Sequence, residues 1–199
     1  MSRKLLLATL NEHKRREFAR LLVGWEVEKL PEQVTLPPED GETFAENALG
    51  KARAAARATG RVTIADDSGI EAAALGGAPG VRSARYAGEA ASDGENLAKL
   101  LHEAPAGSAL EYVCVIAHVD PSTGEEHVFE GRCAGRVAEL ARGERGFGYD
   151  PAFLPDEAPP EGAGTTEAMT MAQLSDRQKD AISHRGRAAR ALLAALGGP

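Results

Sequence analysis

The first half of the chain alternates short apolar runs with longer segments whose apolar residues recur at helical spacing. The run "RKLLLAT" at residues 3–9 predicts a buried strand, and the segment from Asn11 to about Val23 predicts a helix directly after it. The pattern continues with a strand over 26–30, a helix over 43–60 and a strand over 62–66. Strands that alternate with helices in this way are typical of a mixed α/β sheet.

The second half of the chain carries two capping signals and one hairpin signal. Ser92 and Glu95 have the spacing of a capping box, which predicts a helix over 92–104, and "SDRQ" begins the helical tail with the same spacing. The segments 109–120 and 125–140 predict two strands joined by the turn "PSTG". A glycine-rich loop over 142–151 and a mobile segment over 156–168 are expected between the hairpin and the tail.

Composition and charge narrow the classes of protein that this chain represents. It has 199 residues, of which 43% are hydrophobic and 27% charged, as in a soluble globular domain. The net charge of −7 argues against binding of a DNA or RNA backbone across a large surface. The apolar run near the N-terminus is too short for a signal peptide, and no run is long enough to span a membrane, so we expect a cytoplasmic protein. Two cysteines are too few for a disulfide framework and are expected in the core.

Two adjacent aspartates, Asp66 and Asp67, follow the predicted strand over 62–66. Neighbouring side chains of a strand point to opposite faces, so these two are expected to do different work unless the strand ends between them. At the carboxyl end of a strand, a carboxylate is placed to bind Mg²⁺ or to orient a water molecule. A structural Asp turn is the alternative interpretation.

Lysine is scarce, since only six of the 23 basic residues are lysines, and three of those lie in candidate motifs. Lys14 follows Asn11 in "TLNEHK", where a helix N-terminus offers N–H groups to an anion. Lys51 follows an acidic cluster that includes Glu39, and Lys179 lies in "KDAISHRGR". Ordinary alternatives are a capped helix with a solvated lysine, acidic residues that favour a helix dipole, and a basic helix face.

Several familiar motifs are excluded by their spacing. "GK" at Gly50 lacks the glycine and the hydroxyl residue of a P-loop, and no dinucleotide fingerprint or serine-nucleophile elbow is present. Cys114 and His118 are too far apart along one strand to bind one zinc ion. The loop "GFGYDP" instead exposes Phe147, an aromatic of the kind that stacks on bases.

Taken in order, these motifs resemble the inosine triphosphatase family, the non-standard purine nucleoside triphosphate pyrophosphatases also called dITP/XTP pyrophosphatases. The resemblance rests on "TLNEHK", "FAENALGKA", "ADDSGIEAAALGGAPGVRSARYAG", "GFGYDPAF" and "AISHRGRA", and it runs from about residue 4 to residue 196. It implies one domain over residues 1–199, in which a long mixed sheet divides two α/β lobes with the site in a central cleft. It also implies a homodimer with a purine nucleoside triphosphate as substrate and no nucleic acid polymer or membrane as partner.

The resemblance also implies roles for individual residues. Asp67 is the implied proton acceptor and a ligand of Mg²⁺, with Glu39 as the second metal carboxylate. The implied substrate contacts are Thr9, Leu10, Asn11, Glu12, His13, Lys14 and Lys51 at the triphosphate, Ser68, and Phe147, Gly148, Tyr149, Asp150, Lys179, His184 and Arg185 at the base. Many members have a small residue at the position of Leu10, so this leucine either alters the loop or points into the core. We assign Asp66, as a hypothesis, to orienting a neighbour such as Lys51.

The implied reaction is attack of water on the α-phosphorus of ITP, dITP or XTP, which releases pyrophosphate and a nucleoside monophosphate. Donors such as Arg185 and Lys179 would satisfy the 6-keto group of hypoxanthine or xanthine and disfavour the 6-amino group of adenine. Two other interpretations stay open on the sequence. One is a nucleotide-binding protein without catalytic activity on the same scaffold, and the other is a pyrophosphatase for another modified nucleotide.

Overall fold

The structure is a computed structural model that describes residues 3–157 and 168–198. Most of the segment 156–168, for which mobility is expected, lies outside the described residues. The described strands are β1 (Arg3–Leu7), β2 (Trp25–Lys29), β3 (Thr63–Ala72), β4 (Ala109–Asp120), β5 (Glu125–Val137) and β6 (Phe153–Pro155). The described α-helices are α1 (Glu12–Leu21), α2 (Phe44–Thr59), α3 (Asp93–Glu103), α4 (Asp176–Ile182) and α5 (His184–Ala195).

The strands form one mixed sheet in the order β2-β1-β3-β4-β5-β6. β1 is parallel to both β2 and β3, with Leu6 opposite Thr63 and Leu7 opposite Ile64, whereas β5 and β6 are antiparallel. β4 and β5 are neighbours joined by a four-residue turn, in which the Gly124 N–H bonds to the Asp120 carbonyl at 2.8 Å. The predicted α/β class, the mixed sheet and the hairpin are therefore confirmed.

Helix boundaries follow the capping signals of the sequence. Thr43 caps α2 in a capping box with Glu46, and Gly60 ends that helix in the left-handed conformation, with φ at +67°. The boxes predicted at Ser92 and at Ser175 are both present, at the starts of α3 and α4. Each box satisfies N–H groups that a helix otherwise leaves without partners in its first turn, which fixes where the helix begins.

One expectation about the elements is wrong. The strand after Val62 continues through both aspartates and reaches Ala72, because hydrogen bonding within the sheet outweighs the low strand propensity of Asp, Ser and Gly. The predicted helical tail is confirmed and comprises two helices, since Ser183 adopts an extended conformation, with ψ at 154°, between α4 and α5. Its hydroxyl then accepts from the Gly186 N–H at 3.1 Å, which supports the first turn of α5.

The chain divides into two compact units, each with its own core. The first unit comprises Met1–Asp67, Cys114–Gly131 and Arg187–Pro199, and the second comprises Ser68–Val113 and Arg132–Gly186. Buried side chains of β1, α1, β4 and α5, including Leu5, Phe18 and Leu192, form the first core. The second core includes Leu100, Phe153 and Met171. The single domain with two lobes around a cleft stays a prediction.

Cys114 and Cys133 are both buried, as expected from the sequence. None of the helices in the described ranges is long and apolar enough to cross a membrane.

Candidate active site

Asp66 and Asp67 lie in β3 just beyond the end of its parallel neighbour β1, which stops at Leu7. Asp66 is fully buried and Asp67 is 5% exposed. They are mid-strand in β3, yet they sit at the carboxyl end of β1, where the loop to α1 begins. The expectation that the aspartates end their own strand is therefore wrong, although both lie beside the carboxyl end of β1.

Two lysines contact Asp66, Lys14 at its side chain and Lys51 at its main chain. The Lys14 ammonium lies 3.1 Å from Asp66 Oδ2, and the Lys51 ammonium donates to the Asp66 carbonyl oxygen at 2.6 Å. Lys51 also forms an ion pair with Glu39, which precedes α2. The side chain of Asp66 thus pairs with Lys14, while Lys51 is held through the backbone of the same residue. We call Lys14, Glu39, Lys51, Asp66 and Asp67 the carboxylate–lysine cluster.

Asn47, a buried residue of α2, connects the two candidate metal carboxylates. Its amide nitrogen donates to Asp67 Oδ2 at 2.8 Å, and its amide oxygen accepts from the Gly41 N–H, also at 2.8 Å. Gly41 lies two residues after Glu39, so one side chain fixes both Asp67 and the loop that carries Glu39. A side chain at Gly41 would meet the Asn47 amide oxygen at 2.7 Å, which explains a glycine there.

Burial and charge act in opposite directions on this cluster. Burial raises the pKa of the Asp67 carboxyl above its ordinary value, although the nearby ammonium groups of Lys51 and Lys14 oppose this rise. Burial alone lowers the pKa of Lys51, but the charges of Asp66, Glu39 and Asp67 more than offset it, so that pKa is raised. Lys51 therefore stays positively charged at neutral pH.

The donor chemistry of the cluster fits a hard divalent cation. Three carboxylates face two ammonium groups, which leaves an excess of negative charge, and carboxylate oxygens are the ligands that Mg²⁺ prefers. A cation would also relieve the cost of ionising the buried Asp67. Within the described residues, no group of three or more His, Cys, Asp or Glu side chains has the geometry of a complete metal site. A cation there would thus complete its coordination with ligands from outside the protein, such as phosphate oxygens or water.

The loop before α1 presents exposed residues next to this cluster. Asn11 caps the helix, and its side-chain oxygen accepts from the N–H groups of His13 and Lys14 at 2.9 and 3.1 Å. The Asn11 N–H donates to Thr9 Oγ1 at 3.2 Å. Leu10 is 80% exposed, so it does not point into the core. The cap therefore occupies two of the N–H groups that the start of this helix would otherwise offer to an anion.

A second group of predicted residues assembles in the other unit, around Asp150. Asp150 Oδ2 accepts from the Lys179 ammonium at 2.6 Å and from the Phe147 N–H at 2.9 Å. The Phe147 ring lies 5.1 Å from Lys179 Nζ and 5.7 Å from the Arg185 guanidinium carbon, at cation–π distances. We call Phe147, Asp150, Lys179, His184 and Arg185 the basic–aromatic cluster.

Two neighbouring residues of the glycine-rich loop bond to other segments of the second unit. The Gly148 N–H donates to Asp93 at 3.0 Å, and the Tyr149 hydroxyl donates to the Ser83 carbonyl at 2.7 Å. Gly146 has a φ of +73°, and a Cβ at this residue would lie 2.0 Å from Asp150 Oδ2. The loop therefore closes on Asp150 only with glycine at position 146.

His184 and Arg185 begin α5 and are both buried. The Arg185 guanidinium donates to Ser68 Oγ at 2.8 Å, and the His184 ring stacks on Tyr112 with centroids 4.4 Å apart. A Cβ at Gly186 would lie 2.1 Å from the Asp180 carbonyl oxygen, so glycine permits this tight passage from α4 to α5. These contacts bring together five of the predicted residues, namely Ser68, Phe147, Asp150, Lys179 and Arg185.

Comparison with known proteins identifies the family. The model of the Ham1 family matches residues 5–195 of the chain. The chain belongs to the Ham1 family. It is 42% identical over 206 residues to the dITP/XTP pyrophosphatase of Corynebacterium diphtheriae, covering 98% of this chain and 97% of the relative. It is 45% identical over 201 residues to the dITP/XTP pyrophosphatase of Deinococcus radiodurans, covering 98% and 94%.

Solved structures agree with this membership. The structure of the Staphylococcus aureus Ham1 protein superposes with a TM-score of 0.81 at 40% identity and covers 98% of both chains. The family resemblance inferred from the sequence motifs is therefore confirmed, and so is the fold class.

Three residues that hold predicted site residues were missed on the sequence: Asn47, Asp93 and Tyr112. Each acts by holding a predicted residue, and their partners are 20, 55 and 38 positions away in the chain. Asn47 lies inside the quoted motif "FAENALGKA", which is the signal that would have drawn attention to it. Strand periodicity alone marks Tyr112 as a core residue.

Proposed function

We propose that this chain hydrolyses the noncanonical purine nucleoside triphosphates ITP, dITP and XTP to the nucleoside monophosphate and pyrophosphate. The observation that carries the proposal is the carboxylate–lysine cluster, where buried Asp67 and two lysines lie beside the loop over residues 9–14. Membership of the Ham1 family, with relatives named dITP/XTP pyrophosphatase, supports the same activity. Such an enzyme removes deaminated purines from the nucleotide pool.

In the proposed reaction, Asp67 accepts the proton of the water that attacks the α-phosphorus. The bond from the α-phosphorus to the bridging oxygen breaks, and pyrophosphate leaves with both electrons of that bond. Lys14 and Lys51 stabilise the negative charge that develops on the leaving group, because both are fixed beside Asp66 before substrate arrives. Thr9, Leu10, Asn11, Glu12 and His13 contribute the rest of the triphosphate contacts.

Asp67 and Glu39 are the residues that would hold a divalent cation, which we propose is Mg²⁺. When bound, the cation neutralises charge on the phosphate oxygens and lowers the pKa of a coordinated water. For Glu39 to bind the cation, its ion pair with Lys51 must open. The Lys51 ammonium would then be available to bind phosphate.

The basic–aromatic cluster is proposed to hold the base. Phe147 offers its ring for stacking, and Lys179 and Arg185 offer N–H donors to a 6-keto oxygen. The 6-amino group of adenine would bring a donor against these donors, and such a mismatch lowers affinity by leaving buried polar groups without partners. Ser68, Gly148, Tyr149 and His184 complete the proposed contacts. The homodimer stays a prediction.

The products of ITP hydrolysis test this proposal. Purified protein is incubated with ITP in Mg²⁺ and in EDTA, and pyrophosphate, orthophosphate, IMP and IDP are measured. We expect stoichiometric IMP and pyrophosphate with Mg²⁺ and none with EDTA. Orthophosphate with IDP would contradict cleavage at the α-phosphorus, and ITP binding without turnover would favour a nucleotide-binding protein.

A further inference from the structure

Tyr112 contacts two members of the basic–aromatic cluster at once. It is a residue of β4 and is 6% exposed. Its hydroxyl donates to Asp150 Oδ1 at 3.1 Å, and its ring lies parallel to the His184 ring, with an interplanar angle of 8°. One side chain therefore joins the glycine-rich loop to the start of α5.

The hydrogen bond from Tyr112 completes the partners of Asp150. Oδ1 accepts from Tyr112, while Oδ2 accepts from Lys179 and from the Phe147 N–H. With both oxygens engaged, the carboxylate cannot rotate without breaking a bond that involves a charged group. The position of the Lys179 ammonium depends on that orientation, because its 2.6 Å contact is with Oδ2.

The stacking on His184 fixes a second group by a different contact. Centroids 4.4 Å apart with nearly parallel rings define the plane of the imidazole. Tyr112 is itself held in place, since its ring also packs against Phe153 with centroids 4.5 Å apart. The orientation of Tyr112 thus comes from the core, and the orientations of Asp150 and His184 follow from Tyr112.

The partner of the Tyr112 hydroxyl differs from that of Tyr149, whose hydroxyl donates to the backbone carbonyl of Ser83. A phenylalanine at position 112 would fill the same space in the core. The Tyr112 hydroxyl instead bonds to a side chain of the cluster that is proposed to hold the base.

We propose that Tyr112 is a positioning residue for base selection: it sets the orientation of Asp150, and through it Lys179, together with the ring plane of His184. This inference rests on the proposed function, because it assigns Tyr112 to the base-binding part of that activity. It concerns affinity and selectivity for the 6-keto base and leaves the chemistry at the phosphate unchanged.

The test compares Tyr112→Phe, Tyr112→Leu and wild-type protein by steady-state kinetics with ITP and ATP, which differ in the 6-keto and 6-amino groups. Tyr112→Phe keeps the stacking and loses one hydrogen bond, so we expect KM for ITP to rise about 2- to 10-fold with kcat within about 2-fold. The ratio of kcat/KM for ITP over ATP is expected to fall. Tyr112→Leu loses the stacking as well and is expected to raise KM further.

Tyr86→Phe is the matched control, since it also removes a tyrosine hydroxyl, in this case one bonded to the side chain of Glu103. We expect this variant to keep the wild-type KM and the wild-type ratio. Thermal melting of each variant separates loss of fold from loss of affinity. If Tyr112→Leu does not fold, Tyr112→Phe decides the question alone.

Folded Tyr112→Phe with wild-type KM and a wild-type ITP-to-ATP ratio would overturn the inference, as would a fall in kcat at constant KM. Failure of the proposed function looks different, because wild-type protein would then release no pyrophosphate from ITP, whether or not it binds ITP. That result would overturn the positioning role as well.

Discussion

Asp66 and Asp67 are consecutive in the chain, yet their carboxylates have different partners. Asp66 pairs with Lys14, whereas Asp67 accepts from the neutral amide of Asn47. Because Asp67 is buried, its pKa is raised, so its carboxylate is more easily protonated than that of an exposed aspartate. Asp66 contacts both lysines, and we propose that Asp67 is the carboxylate that accepts the proton.

Replacement of Asp67 by Asn is expected to lower kcat for ITP by about 10²- to 10⁴-fold, the usual contribution of a general base. The fold should survive, because the amide has the same shape and avoids the cost of a buried charge. Steady-state kinetics and thermal melting measure both effects. Asp120→Asn, in the hairpin turn, is the control that should keep wild-type activity. Wild-type turnover by a folded Asp67→Asn protein would contradict the assignment.

Replacement of Asn47 by Ala is expected to weaken Mg²⁺ binding by about 10-fold or more, as for other residues that orient metal ligands. The reason is that Asn47 holds both Asp67 and the Gly41 backbone beside Glu39. Isothermal titration with Mg²⁺ and the Mg²⁺ dependence of ITP hydrolysis are the two measurements. Asn96→Ala removes another buried asparagine, which bonds to the backbone of Ala84 and Ala87, and should leave Mg²⁺ affinity unchanged. Equal Mg²⁺ affinities for wild type and Asn47→Ala would refute this role.

At the scale of elements, the junction of α4 and α5 places two side chains of the basic–aromatic cluster. The extended Ser183 interrupts the helix, and α5 then begins with His184 and Arg185. The approach of Gly186 to the Asp180 carbonyl leaves no room for a methyl group. A continuous helix would direct these two side chains differently, because the helical rotation would carry on through residue 183.

Gly186→Ala is therefore expected to destabilise the protein by about 1–3 kcal/mol, the usual cost of overpacking. It should also raise KM for ITP, since α5 must shift. Chemical denaturation and kinetics test these two effects. The helical glycine Gly94 is a matched control, because a Cβ there would meet only Ser92 Oγ, at 4.0 Å, and alanine favours helices. If Gly186→Ala were as stable as wild type, the close approach would not matter to the fold.

The elements also show what can be inferred from sequence and what cannot. Capping residues such as Ser92 and Ser175 act on their own helices, so local spacing located those starts. The length of β3 depends on its neighbours in the sheet, so local propensity does not show it. The break at Ser183 accompanies the close approach of Gly186 to the Asp180 carbonyl, which local propensity does not show either. Local propensity likewise does not determine where the Leu10 side chain points, and the structure shows that this side chain is exposed.

At the scale of the whole molecule, each unit carries one coherent set of chemical groups. The first unit holds the carboxylate–lysine cluster, with charges suited to phosphate and a cation, and the second holds the basic–aromatic cluster, with groups suited to a keto base. Three of the six lysines belong to these two clusters, as expected for a chain that otherwise uses arginine. The family motifs include the predicted site residues. The residues that hold those side chains in place, such as Asn47 and Tyr112, are visible only in the structure.

The selectivity of hydrolysis tests the central claim most directly. Pyrophosphate release is measured from ITP, XTP, GTP and ATP at equal concentrations with Mg²⁺. We expect fast release from ITP and XTP and far slower release from GTP and ATP. Equal rates on all four nucleotides would contradict base recognition by the basic–aromatic cluster, and no release from ITP or XTP would contradict the proposed function itself.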